Sequence, residues 1–150
     1  MVPELLPAAL VVFVLMALLI VAIVRFYEIP RRGSALVVLR EGQTPRVFTK
    51  GIAFVGFGNT KVATIDLAER TFLFPGVEVR LSPNESAHDL GAIVERVGAD
   101  RANDPEAMQA LLDPVVARAL AAGDDESATD RVERAVEEAA PGFRVQVARA

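Results

Sequence analysis

The sequence predicts an α+β protein with an N-terminal transmembrane helix, followed by a small, mainly antiparallel sheet packed with two or three helices. Three observations predict this. The chain opens with an uninterrupted apolar segment, continues with short β-type runs separated by turn residues, and ends with apolar residues at helical spacing. Its 150 residues suit one domain with an appendage. We predict a membrane anchor over residues 1–28 and a compact domain over residues 29–150.

The apolar segment is residues 5–24, LLPAALVVFVLMALLIVAIV, which contains no charge. As a helix it would be roughly 30 Å long, the thickness of a bilayer core. A cleaved signal peptide and a buried core helix are the alternatives. A signal peptide normally has a basic start and a small-residue cleavage site, whereas the only charge before this segment is Glu4. The segment ends in RFYE (25–28), an aromatic and charged border typical of a membrane interface. We therefore predict a retained transmembrane helix.

Basic residues follow the helix and none precedes it: Arg25, Arg31, Arg32 and Arg40 all come shortly after its end. The positive-inside rule therefore predicts a single-pass protein of the cell membrane whose domain is cytoplasmic. Arg25, Arg31 and Arg32 are our candidate contacts to lipid headgroups, including anionic ones, at about 1 kcal/mol each. The alternative is that these arginines only set topology. The absence of cysteine fits a reducing compartment.

The region after Pro30 has the pattern of β-strands, because short apolar or alternating runs are separated by turn residues. Lys50-Gly51 predicts a hairpin or bulge, and Pro75-Gly76 predicts a tight turn. Each strand is expected to bury one face. The predicted strands are SALVVL (34–39), RVFT (46–49), IAFVGF (52–57), VATIDL (62–67), RTFLF (70–74) and VEVRL (77–81).

The C-terminal region is predicted to be mainly helical. Residues 82–100 fit either a strand or a short helix, and the two glycines that bracket their apolar run favour a strand. From Asp104, an N-cap followed by Pro105, apolar residues recur at helical spacing. Pro114 predicts two helical pieces or one kinked helix.

A second C-terminal helix is predicted over residues 128–140. Ser127 and Asp130 resemble a capping box at its start, and Pro141-Gly142 ends it. Alternating residues then predict a closing strand, FRVQV (143–147).

The stretch GIAFVGFGNTK (51–61) raises the possibility of a phosphate-binding loop. Such a loop needs a lysine directly after its second glycine, at the start of a helix. Here Lys61 comes four positions too late. We interpret the glycines as turn residues, with residues 52–55 filling the sheet and residues 56–59 turning the chain.

Other signatures of chemistry are weak. His88 is the single histidine and the chain has no cysteine, so a zinc site within one chain is not expected. None of the four serines lies in a G-x-S-x-G motif. The basic half contains phenylalanines that fit a buried sheet face better than a surface for stacking nucleic-acid bases. We therefore predict no enzymatic activity, no cofactor, no metal and no nucleic acid partner.

Residues 29–74 closely resemble the opening of the flotillin branch of the stomatin, prohibitin and flotillin (SPFH, or band 7) family. Weaker similarity extends to residues 104–112 and 139–150. The family pattern places a membrane anchor before a Pro-containing lead-in, a short ALVV strand and a turn. A glycine then precedes an apolar strand, and an ISL-x-x-R-T-hydrophobic strand follows. The matching positions are Pro30, residues 35–38, residues 51–55, residues 65–67 and Arg70-Thr71.

This resemblance implies an SPFH-like α+β domain lying against the membrane, without catalysis. It also implies homo-oligomerisation and the scaffolding of membrane microdomains or partner proteins. The long coiled coil that follows a flotillin domain is missing, so the chain resembles a short form.

Two functions follow as hypotheses. In the first, the protein is a single-pass scaffold that laterally organises membrane proteins or lipids. In the second, it is a dedicated small subunit or regulator of one membrane complex, for example a protease or a transporter.

Overall fold

A computed structural model describes residues 5–56, 60–122 and 127–150. It confirms the predicted α+β class, with a long apolar helix followed by antiparallel sheets and several helices. The elements are α1 (Leu5–Phe26), β1 (Tyr27–Glu28), β2 (Ser34–Arg40), β3 (Arg46–Phe48), β4 (Ala53–Phe54), β5 (Thr60–Asp66), β6 (Arg70–Phe74), β7 (Val77–Pro83), α2 (Ala87–Ala92), a π-helical segment (Ile93–Val97), α3 (Ala99–Asn103), α4 (Pro105–Ala121), α5 (Ala128–Ala139) and β8 (Phe143–Arg149).

Helix α1 is not part of the protein core. The portion Pro7–Phe26 has a mean hydropathy of 3.1, and none of its most apolar stretch is buried. Phe13 and Val24, for example, are 73% and 75% exposed. Because apolar surface on this scale is unfavourable in water, the helix has the properties of a single membrane span or a signal sequence. The alternative of a core helix within the described chain is wrong.

The described strands form three antiparallel sheets instead of one. Sheet 1 has the order β3-β2-β5, sheet 2 has the order β6-β7-β8, and β1 and β4 form a separate two-stranded pair. In sheet 1, β2 pairs with β5 along its whole length. In sheet 2 the predicted Pro75-Gly76 turn is confirmed, since Phe74 lies opposite Val77 and Gly76 has a φ of 82°. Strand β8 pairs with β7 and closes the fold.

The main core lies between the two larger sheets and the helices. Ile65 and Val79 of the sheets and Leu112 and Val136 of the helices are all fully buried. A second, smaller cluster lies on the other face of sheet 1, where Leu36 and Val38 are covered by Ala53, Phe48 and Val62. Strand β2 is therefore buried on both faces, and the expectation that each strand buries one face is wrong for it.

The hairpin predicted at Lys50-Gly51 does not form. Strand β3 pairs with β2, whereas β4 pairs with β1, which is distant in sequence. Gly51 does adopt the positive φ expected of a turn glycine, at 88°. Only Ala53 of residues 52–55 is fully buried, while Ile52 and Phe54 are 64% and 53% exposed. The expectation that this stretch fills the sheet is therefore wrong, and residues 57–59 lie outside the described chain.

Residues 87–97 and 99–103 are helical, with Gly98 between them, so the strand favoured for the apolar run is wrong. The side chain of Ser86 caps α2 by accepting a hydrogen bond from the backbone N–H of Asp89 at 3.1 Å. The buried residues that follow are spaced as on one face of a helix. They are Leu90, Ile93, Val94 and Val97. Gly91 lies inside α2, where an added Cβ would be 2.6 Å from the ring of Pro45.

The two long C-terminal helices largely follow their predicted start signals. Asp104 caps α4, its carboxylate accepting from the N–H of Glu106 at 3.0 Å. Helix α4 continues through Pro114, so the two-piece alternative is wrong. Ser127 occupies the N-cap of α5 as predicted, but its hydroxyl hydrogen-bonds to the hydroxyl of Thr129 at 2.6 Å and makes no side-chain cap to the backbone.

Candidate functional site

The candidate site lies where α1 meets the domain. Helix α1 ends at Phe26, and β1 begins at the next residue. Tyr27 and Glu28 pair with Phe54 and Ala53 of β4. The carbonyl oxygen of Phe26 also accepts a hydrogen bond from the backbone N–H of Val55 at 2.7 Å. The last residue of the apolar helix is thus fixed to the domain by backbone hydrogen bonding.

Aromatic rings reinforce this junction. The ring centroids of Tyr27 and Phe54 are 5.3 Å apart, and those of Phe26 and Phe54 are 6.5 Å apart. Both pairs are tilted, a favourable arrangement for aromatic rings, which adds about 0.5–1.5 kcal/mol per pair beyond the burial of area. The contacts hold Phe54 beside the end of α1 although half of its surface remains exposed.

Four large side chains form an exposed apolar patch at the same junction. They are Tyr27, Ile29, Ile52 and Phe54, which are 44%, 71%, 64% and 53% exposed. Exposed apolar residues that cluster in this way mark interaction surfaces, whereas isolated ones do not. This patch, called the membrane-proximal patch below, directly continues the apolar surface of α1.

An open groove of about 1480 Å³ runs between the end of α1 and the domain. Most of its lining side chains are apolar, and a few polar side chains complete it. The lining residues are Leu19, Ala22, Ile23, Val24, Phe26, Tyr27, Glu28, Ile29, Arg31, Leu36, Ile52, Phe54, Thr64 and Asn103. Glu28 and Arg31 are the charged members of this set.

The three arginines predicted to contact lipid headgroups occupy different positions. Arg25 is exposed in the last turn of α1, and Arg31 and Arg32 are exposed in the turn before β2. Arg31 lines the groove, but Arg25 and Arg32 do not. The backbone at Arg31 is held in place because its carbonyl oxygen accepts from both the N–H and the hydroxyl of Ser34, at 3.1 and 2.9 Å.

Asn103 lines the groove, and no sequence pattern predicted this role. Its Oδ1 accepts from the backbone N–H of Asp66 at 2.9 Å, and its Nδ2 donates to the carbonyl oxygen of Thr64 at 2.6 Å. Arg70 supports the same region, donating to the carbonyl oxygen of Ala102 at 2.8 Å and to the Asp66 carboxylate at 3.2 Å. In the sequence, Asn103 gave no signal beyond its place before a helix cap.

The sequence features considered for metal or phosphate binding lie away from this groove. His88 is exposed and lines a shallow cavity of about 310 Å³ with Asp89, Glu95 and Arg96. Among the described residues, no group of three or more His, Cys, Asp or Glu side chains could hold a metal ion. Lys61 is exposed in β5, opposite Leu39, instead of at the start of a helix as a phosphate loop requires.

An exposed ion pair lies on sheet 2, away from the groove. Arg80 donates its Nε–H to the carboxylate of Glu78 at 2.6 Å. This hydrogen bond, together with the negative charge, raises the pKa of Arg80 above its ordinary value. Because the pair is exposed to solvent and arginine is already protonated at all physiological pH values, it carries no chemistry.

Comparison with known proteins adds no assignment. No protein-family model matches this chain, and no curated protein matches it. The groove and the membrane-proximal patch are therefore interpreted from their own geometry.

Proposed function

We propose that this chain is a single-pass protein of the cell membrane whose SPFH-like domain scaffolds or laterally organises membrane proteins or lipids without catalysis. The observation that carries the proposal is the continuity between the exposed apolar helix α1 and the membrane-proximal patch. A scaffold that acts on the bilayer needs its domain held against the membrane surface, and this continuity supplies such a contact.

The junction supports a retained anchor over a cleaved signal sequence. Strand β1 begins directly after α1 and pairs with β4, and Val55 hydrogen-bonds to the last helical residue. Cleavage at the end of the helix would remove the Phe26 carbonyl and leave the membrane-proximal patch exposed to water. Both changes would cost free energy.

Charge supports a cytoplasmic domain. Arg25, Arg31 and Arg32 all lie on the domain side of α1 and are exposed, the distribution that the positive-inside rule associates with the cytoplasmic face. In this position they lie at the depth of the lipid headgroups and attract the phosphate groups of lipids electrostatically.

The flotillin-like pattern of residues 29–74 supports a scaffold that assembles with copies of itself. The dedicated-subunit alternative shares the same anchor and predicts a different assembly. Because the scaffold and the dedicated subunit both retain the helix, one preparation of the full chain can distinguish the two hypotheses.

The test is to express the full chain with a C-terminal tag, extract the membranes at alkaline pH, and size the protein in mild detergent. We expect the intact chain to stay in the membrane pellet and to run as a uniform homo-oligomer. A shortened, soluble product would establish a signal sequence and overturn the proposal. Stoichiometric co-purification of a different protein would favour the dedicated subunit.

Topology can be checked on the same preparation because the chain has no cysteine. Thr71→Cys introduces a single thiol at an exposed position of sheet 2. A maleimide that cannot cross membranes should label it only after the cells are opened. Labelling of intact cells would contradict the cytoplasmic orientation.

A further inference from the structure

We propose that the groove beside α1 binds one phospholipid with a primary-amine headgroup. Its phosphate would pair with Arg31, its ammonium with Glu28, and its acyl chains would lie along the end of α1. This inference rests on the proposed function in one respect, namely that α1 lies in a bilayer.

The charges of the groove are the first argument. Glu28 and Arg31 are its charged lining residues, and they lie three positions apart in the chain. Within the described chain, neither side chain has an ion-pair partner within 4.0 Å. Two opposite, unpaired charges on one groove match a zwitterion that carries both complementary charges.

Headgroup chemistry narrows the choice of lipid. Arginine binds a phosphate through two parallel hydrogen bonds, which suits any phospholipid. A primary ammonium can also donate hydrogen bonds to the carboxylate of Glu28, whereas a quaternary choline has no N–H to donate. An anionic lipid without an amine, such as phosphatidylglycerol, would satisfy Arg31 but leave Glu28 facing negative charge. The pair of charges therefore favours a phospholipid with a primary amine over a choline lipid and over an anionic lipid that has no amine.

The apolar lining accounts for the rest of the lipid. Leu19, Ala22 and Ile23 line the groove near the C-terminal end of α1, and Ile52 and Phe54 line it from the domain. The groove, at about 1480 Å³, is larger than the roughly 300–1,000 Å³ of pockets for small ligands. If α1 spans the bilayer, the part of the groove formed by α1 is in direct contact with lipid. We therefore infer that the occupant is a lipid molecule.

The test uses the full chain in vesicles with equal amounts of phosphatidylcholine, phosphatidylethanolamine and phosphatidylglycerol. The protein is released in mild detergent, and its retained lipids are counted by native mass spectrometry. We expect phosphatidylethanolamine to be retained at least threefold over each of the other two lipids. Preferential retention of phosphatidylglycerol, or equal retention of all three, would overturn the proposal.

Two charge variants assign the contacts. Glu28→Gln should lower retention of phosphatidylethanolamine to that of phosphatidylcholine, and Arg31→Gln should lower retention of all three lipids. Arg40→Gln and Glu85→Gln are matched controls, since both side chains are exposed and outside the groove. If the controls reduce retention as strongly as the groove variants, the binding is diffuse and the proposal fails.

A third variant tests the apolar lining without changing charge. Ala22→Phe should fill the groove and lower lipid retention, whereas Ala17→Phe makes the same change on α1 away from the lining. Unchanged retention in Ala22→Phe would count against the site. Alkaline extraction of every sample distinguishes failure of the proposed function from failure of the lipid site. A protein that leaves the membrane pellet would contradict both proposals. A protein that stays in the pellet but shows no lipid preference would contradict only the lipid site.

Discussion

The side-chain amide of Asn103 bonds to the backbone of Thr64, joining the end of α3 to the outer edge of β5. Nδ2 donates to the Thr64 carbonyl oxygen at 2.6 Å, while Oδ1 accepts from the N–H of Asp66 at 2.9 Å. One side chain thus provides the donor and the acceptor that a neighbouring strand would provide. The outer edge of β5 is therefore hydrogen-bonded at this point beside the groove.

We expect Asn103→Ala to lower the free energy of unfolding by about 1–3 kcal/mol, because two backbone groups of β5 lose their partners. The measurement is thermal or chemical unfolding of the full chain in detergent, followed by circular dichroism. Asn84→Ala is the control, since the described chain shows no hydrogen bond from that side chain. Equal stability of the two variants would show that the Asn103 bonds contribute little.

Substitution of two turn glycines by alanine can distinguish the cost of a steric clash from the cost of backbone strain. Gly142 and Gly76 both have a positive φ, at 91° and 82°. An added Cβ at Gly142 would clash with the carbonyl oxygen of Asp89, whereas one at Gly76 meets nothing within 4 Å. Gly76→Ala should therefore cost only about 1–2 kcal/mol of strain. Gly142→Ala should cost clearly more, since α2 must move, and equal unfolding midpoints for the two variants would contradict this.

Much of the fold could be predicted where the local pattern and the final structure agree. The Pro75-Gly76 turn, the Asp104 cap and the alternation of β8 each depend on residues that are close in sequence. Residues 92–97 show the limit of such patterns, because a short apolar run fits either a strand or a buried helix. Packing against the core stabilises the helix in this segment, whereas the two bracketing glycines had indicated a strand.

The groove could not be predicted because its parts come from distant segments. Strand β1 has two residues and its partner β4 has two, so neither gives a periodic signal. The sequence indicated Arg31 through its charge and its position after the helix. It gave no means of distinguishing Arg31 from Arg32, since that depends on the turn held by Ser34.

Tyr27 offers a direct probe of the membrane-proximal patch. It is the single tyrosine, and the chain has no tryptophan, so intrinsic fluorescence excited at the tyrosine band reports on this residue alone. In vesicles we expect strong quenching by brominated phosphatidylcholine and weak quenching by aqueous acrylamide, since aromatic residues favour the interface. Tyr27→Phe should abolish the signal. Efficient acrylamide quenching without bromolipid quenching would place the patch in water.

Pro114 lies inside α4 and is exposed, so its ring has no core contact to compensate for the missing N–H. A proline in a helix interior costs about 3 kcal/mol relative to alanine, and the greater freedom of the unfolded alanine chain returns roughly 0.4–1 kcal/mol of this. Pro114→Ala should therefore raise the free energy of unfolding by about 2 kcal/mol, measured as a higher unfolding midpoint. Pro105→Ala is the matched control, because a proline at the first helical position is already favourable there. That variant should be neutral or slightly destabilised, and a fall in stability for both variants would show that α4 needs the shape that Pro114 imposes.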